Sequence, residues 1–285
     1  ISFLFARSYS LFRMFEMQLQ AKNMTFAYDV HWNRAHPAVF LIHGLGGERG
    51  MWKHQIKPLV DGGYFVVAPD MLGHGGSSKV DHLSLDDFVL EIDLLADHLE
   101  ITSFAIVGVS MGGVIAQHYA VHRHHRLTAL VIADSFGDLQ SIAEKLMGIS
   151  QTLGFTVLKP FGSEIFAKAL TSAYKPAFAK EAKEYLYEQA LRADIGQLIL
   201  ARKAINRVEV FGALRGVSVP ALVMVGDQFG AHFVEMNRKI ASHLRNARLA
   251  IIEDSMDPSC LVQPERFNEN LIDFLGRKCA VGQGG

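Results

Sequence analysis

Residues 105–115 read AIVGVSMGGVI, an apolar strand that passes through a G-x-S-x-G turn into a helix. A strand that reverses so sharply brings backbone against backbone, and a side chain at Gly108 or Gly112 would collide there. Ser110 stands at the apex as a candidate nucleophile, and the N-terminus of the following helix faces the place where an oxyanion would form.

Strand and helix signals alternate from about Met24 to Leu275, the pattern of a mainly parallel, doubly wound α/β sheet covered on both faces. The strand candidates are short and apolar: 38–42, 65–68, 104–107, 127–132, 221–225 and 247–252, with 18–30 as an antiparallel hairpin at one edge. Residues 85–99 place Phe88, Ile92, Leu95 and Leu99 on one helix face, with Ser84 as N-cap. Between Asp134 and Val219 no strand signal survives, and amphipathic stretches such as 142–153 and 180–192 take over. The economical division is a core of 1–134 and 216–285 with a helical cap inserted at 135–215. Among the cap's apolar residues, Met147, Leu153, Phe155, Leu158, Phe161, Phe166, Tyr174 and Phe178 either roof a pocket or, the simpler reading, seal the cap's own core.

The 285 residues are 49% hydrophobic with a net charge of −1, enough for one large core and without the basic footprint of a nucleic-acid binder. No apolar run has the length of a membrane span. Cys260 and Cys279 are too few for a disulfide framework and lack metal-ligand spacing, which fits a reducing cytoplasm. Residues 1–15 (ISFLFARSYSLFRMF) are too short and broken for a signal core and read as an arm packed on the body, ahead of a clipped targeting segment or a surface-seeking helix. Residues 281–285 read as a flexible tail.

Three ordered segments resemble the α/β-hydrolase superfamily: Leu41-Ile42-His43-Gly44-Leu45-Gly46-Gly47 after a strand, Pro69-Asp70-Met71-Leu72-Gly73-His74-Gly75-Gly76-Ser77-Ser78, and the turn at Ser110. The second is similar to the D-x-x-G-x-G-x-S loop of small esterases, lactonases and carbon–carbon hydrolases. The resemblance implies an α/β-hydrolase fold, oxyanion donors at the Leu45 and Met111 N–H groups, and a pocket beside Gly44 for a small carbonyl compound. It implies neither a metal nor an organic cofactor. By the same resemblance His43 and His74 brace loops rather than catalyse. His118 and His122, four apart on a helix, have metal-ligand spacing, but they and the neighbouring His124 and His125 read more simply as a solvated helix end.

The family pattern breaks at the partners of the serine. Where relatives read Gly-x-x-Asp after the strand 221–225, this chain has Gly226-Asp227-Gln228-Phe229. Counting back from Leu261-Val262-Gln263-Pro264-Glu265 puts Met256 at the family's glycine and Asp257 at its histidine. Serine without a general base keeps only the residual catalysis of an oxyanion hole, about 10³–10⁴-fold over water. A carboxylate is a weak substitute unless apolar surroundings such as Met256 and Phe229 raise its proton affinity.

Several readings follow. Ester cleavage is weak and uses Asp257, or a displaced His232 oriented by Asp257 or Asp227 restores the base, with Asp134 as another acid position or simply a capping residue. Alternatively the pocket binds small carbonyl ligands without turning them over. The substitutions are concentrated at Phe229, Met256 and Asp257 beside an intact turn, which fits an altered or designed site. There Asp257 would abstract a proton from carbon and Phe229 would stack on an aromatic substrate. Composition leaves the oligomeric state open.

Overall fold

The computed structural model describes residues 15–281. Residues 1–14 and 282–285, which hold nearly all of the expected N-terminal arm and C-terminal tail, lie outside the described residues. Phe15, counted with the arm, is the first residue of a strand, and Val281, counted with the tail, ends a helix.

The strands are β1 (Phe15–Ala21), β2 (Met24–His31), β3 (Ala38–Ile42), β4 (Phe65–Pro69), β5 (Phe104–Val109), β6 (Leu127–Ala133), β7 (Ala221–Gly226) and β8 (Ala247–Ile252). They form one sheet in the order β1-β2-β4-β3-β5-β6-β7-β8. The β1–β2 and β2–β4 pairs are antiparallel, and every pair from β4 to β8 is parallel. Lys22 and Asn23 close the hairpin with φ of 51° and 61°, the twist-matched geometry for a two-residue turn.

The helices are α1 (Lys53–Asp61), α2 (Leu85–His98), α3 (Met111–Arg123), α4 (Ile142–Leu158), α5 (Ser163–Leu170), α6 (Lys180–Arg192), α7 (Ile195–Ile205), α8 (Phe211–Leu214), α9 (Ala231–His243), α10 (Ser259–Val262) and α11 (Pro264–Val281). Ser84 caps α2 reciprocally with Asp87, as its position before the apolar stripe predicts.

Strands in the middle of the sheet show no polar alternation because both faces are covered. On β3, Phe40 and Ile42 point into one apolar layer with Phe88, Ile106 and Val114, while Val39 and Leu41 point into the other with Trp52, Val107 and Phe267. Each fully buried side chain of this size contributes roughly 2–3 kcal/mol of transfer free energy, so the register of β3 and β5 is fixed from both sides.

Five helices, α4 to α8, separate β6 from β7. Phe166 is fully buried among Ala167, Ala190, Ile195 and Leu198, with Phe155 edge-on at 5.1 Å, so this part of the insertion seals its own core. Leu45 packs on that cluster, joining the inserted helices to the loop after β3. Leu153 and Phe161 are exposed and roof nothing, while Met147 is partly buried against the main core.

Candidate active site

Strand β5 runs two residues beyond its predicted end and delivers Ser110 directly to the turn. Ser110 adopts φ 54° and ψ −114°, a conformation that costs a non-glycine residue about 1–3 kcal/mol. Its N–H donates to the Ala133 carbonyl at 2.9 Å, and its carbonyl accepts from the Ser135 hydroxyl at 2.8 Å. A Cβ on Gly108 would meet the Gly112 carbonyl oxygen at 2.0 Å, and one on Gly112 would meet the Ile42 carbonyl oxygen at 2.0 Å. The two glycines are therefore required by backbone contact, as the sequence pattern indicates.

Gly44 lies against the serine, its missing Cβ 3.3 Å from Ser110 Cβ. The backbone N–H groups of Leu45 and Met111 make no hydrogen bond to any described residue, so both donors are free on either side of the serine.

His43 is fully buried with a fixed tautomer: Nδ1–H donates to the Gly44 carbonyl at 2.8 Å, and Nε2 accepts from Met71 N–H at 2.9 Å. Burial lowers its pKa to about 4. His74 donates to the Leu72 carbonyl, and burial together with His43, 5.0 Å away, lowers it to about 3. Both rings stay neutral and tie the β3 loop to the Asp70–Ser78 loop. Asp70 anchors that loop, accepting from the N–H groups of Arg49 and Gly76 at 2.7 Å and from the Arg49 guanidinium.

Asp257 lies in the loop between β8 and α10, with its carboxyl group close enough to the Ser110 side chain to be influenced by it. Tyr174 donates to the Asp257 backbone carbonyl at 2.7 Å and holds the loop from the inserted helices. The peptide bond to Pro258 is cis. Burial pushes the Asp257 carboxyl well above the usual carboxylate range, and the charge of Asp134 pushes it further; the neighbouring Ser110 hydroxyl and the Arg202 charge oppose the rise.

Asp134 follows β6 with φ 46° and is buried. Its carboxylate accepts from Gly226 N–H at 2.9 Å, from Ser259 N–H at 2.7 Å and from the Ser259 hydroxyl. It thus holds the first residue of α10 from across the fold, while standing close enough to Asp257 to act on its charge. Burial raises its pKa and the three donors oppose the rise. With more donors than Asp257, Asp134 is the better stabilised anion of the pair, and Asp257 is the member that takes up a proton.

The other proposed partners make no described bond to Ser110. His232 is an exposed residue in the first turn of α9, with no hydrogen bond or ion pair to a described residue. The Asp227 carboxylate accepts from Ser255 N–H at 3.4 Å. Phe229, expected to line the pocket, ends a short helical turn that rests its ring on Phe233 at 5.0 Å and leaves it 42% exposed. Met256 is buried in the layer that holds Val107 and Leu261.

Sequence reasoning missed Arg202. It belongs to the buried face of α7, four residues after Leu198 and three before Ile205, and the signal was a guanidinium within an apolar stripe. Burial lowers its pKa to about 10, and the charge of Asp257 resists that change. Asp86, His118 and His122 bring three potential ligand atoms within 4.8 Å of one another. The bond that forms there is His118 Nε2 to Asp86 at 2.8 Å, which links α3 to the first turn of α2.

A cavity of about 760 Å³ lies beside α4 and α8, lined by Leu139, Ile149, Asn206 and Val208, and includes no residue named above as part of the Ser110 site. A smaller one of about 210 Å³ opens beside the β3 loop, between Gly46, His74, Gln189 and Leu198. Among the described residues no helix is long and apolar enough to cross a membrane.

The sequence model of the alpha/beta hydrolase fold matches residues 37–261. The chain is 27% identical over 269 residues to 3-oxoadipate enol-lactonase 2 of Acinetobacter baylyi, covering 92% of this chain and 97% of the relative. It is 27% identical over 261 residues to a non-heme chloroperoxidase of Kitasatospora aureofaciens, covering 86% and 94%. The crystal structure of the enol-lactonase from Burkholderia xenovorans superposes with a TM-score of 0.80 at 19% identity, over 91% of this chain and all (100%) of that one.

Proposed function

Because the chain belongs to the alpha/beta hydrolase fold family, we propose that it cleaves small esters or lactones slowly through Ser110, with Asp257 standing where a histidine is expected. The observation that carries this reading is a carboxyl group beside Ser110 whose proton affinity is raised by burial and by Asp134. An ordinary carboxylate, with a pKa near 4, has little driving force to take a serine proton; each unit gained returns about 1.4 kcal/mol of that deficit. The names of the lactonase relatives support a carbonyl substrate of this class.

In the proposed mechanism the substrate carbonyl oxygen lies between the Leu45 and Met111 N–H groups, each donor lowering the barrier by about 3 kcal/mol. Asp257 accepts the hydroxyl proton as Ser110 Oγ attacks, then returns it to the departing alkoxide. Water repeats the sequence on the acyl-enzyme, with Asp257 again the acceptor. The inserted helices act as a cap over this centre, and Tyr174 sets the position of the Asp257 loop.

Turnover of p-nitrophenyl acetate tests the reading. The chain should cleave it slowly, Ser110→Ala should abolish the protein-dependent rate, and Asp257→Asn should lower it by about 10²-fold. A rate that survives Ser110→Ala contradicts the proposal.

A further inference from the structure

Arg202 is 7% exposed, yet no hydrogen bond or ion pair joins its guanidinium to any described residue, and its Nε is enclosed without a partner. The guanidinium lies over the face of Phe136, its carbon 5.1 Å from the ring centroid. Phe136 follows Ser135, whose hydroxyl holds the Ser110 carbonyl, so the residue that carries the ring under the cation adjoins one that supports the nucleophile. Asp257 is near enough for each charge to act on the other, but the two do not pair. A guanidinium carries five N–H donors, and sealing even the Nε donor of a cation from water without a partner is costly.

We infer that Arg202 is a binding residue for a carboxylate carried by the substrate itself, at a distance from the carbonyl held at Leu45 and Met111. The inference rests on the ester- or lactone-cleaving reading for the position of that carbonyl. A planar fork matches a carboxylate through two parallel hydrogen bonds. One cation beside the carboxyls of Asp134 and Asp257 suits a monoanion; a phosphate dianion would add repulsion that nothing nearby offsets. The substrate class is then a short ester or lactone with a free carboxylate.

The test measures binding without turnover. In a Ser110→Ala background, titration calorimetry compares monomethyl glutarate with its neutral counterpart dimethyl glutarate. The monoanion should bind at least about tenfold more tightly, Arg202→Gln should erase that preference, and Arg202→Lys should keep part of it. Arg202→Gln should melt no lower than its parent, because it removes a buried unpaired charge, so loss of preference is not loss of fold. Equal affinities, no detectable binding of the monoanion, or a preference that survives Arg202→Gln overturns the inference; the last two would leave Arg202 as a countercharge to Asp257. Carboxylate preference in a protein without ester turnover sinks the hydrolytic reading and leaves Arg202 assigned. Turnover of neutral esters without the preference sinks this inference alone.

Discussion

At the residue scale the account rests on two carboxyls that share one enclosure. Asp257 accepts a proton only when ionised, so the rate should rise with pH along a single limb whose midpoint lies well above the usual carboxylate range. Asp134→Asn removes the negative neighbour and should move that midpoint to lower pH, as pH–rate profiles for p-nitrophenyl acetate would record. An unmoved midpoint means that Asp134 does not act on the base. The loop that carries Asp257 was legible because Gln263-Pro264-Glu265 fixes its register, and His43 and His74 were legible as braces. The Asp134–Asp257 proximity and the unpaired Arg202 were not. Both arise where β6, α7 and the loop after β8 converge, and sequence spacing carries no trace of a meeting between segments so far apart.

At the element scale the strand-to-helix turn is held by backbone contact. Gly112→Ala forces a methyl group to within 2.0 Å of the Ile42 carbonyl oxygen and should destabilise the fold by on the order of 3 kcal/mol. Gly154→Ala provides the contrast, since a Cβ in this stretch of α4 meets nothing within 4 Å; it should stabilise by about 0.5–1 kcal/mol. Urea unfolding of the pair separates a glycine required by packing from one that only weakens a helix. Period and length placed the strands and α2 because burial on both faces leaves a strong signal. The inserted helices were legible as helices, but their apolar residues divide between an inner cluster and open surface, and amphipathic spacing does not say which partner each face meets.

Across the whole molecule, stability should depend on pH from two opposing sets of buried groups. His43 and His74 stay neutral in the fold but protonate in the unfolded chain below about pH 6.5, so their contribution falls as pH drops from 6.5 toward 4 and 3. For His43 alone that loss is on the order of 3 kcal/mol. Glu91, fully buried with one oxygen unpartnered, has its pKa raised well above the ordinary value by burial, so it costs stability as pH rises from about 4 through its folded value. Glu91→Gln should therefore flatten the decline in urea midpoint between pH 5 and pH 8. A slope equal to that of the parent would mean that Glu91 ionises freely in the fold. For the molecule as a whole we propose that the fold retains a serine nucleophile served by a carboxylate base. Intact-mass detection of Ser110 labelling by a small fluorophosphonate, run beside Asp257→Asn, tests it most directly. The account predicts measurable labelling of the parent that slows by about 10²-fold in the variant; equal rates in the two proteins, or no labelling of either, would contradict it.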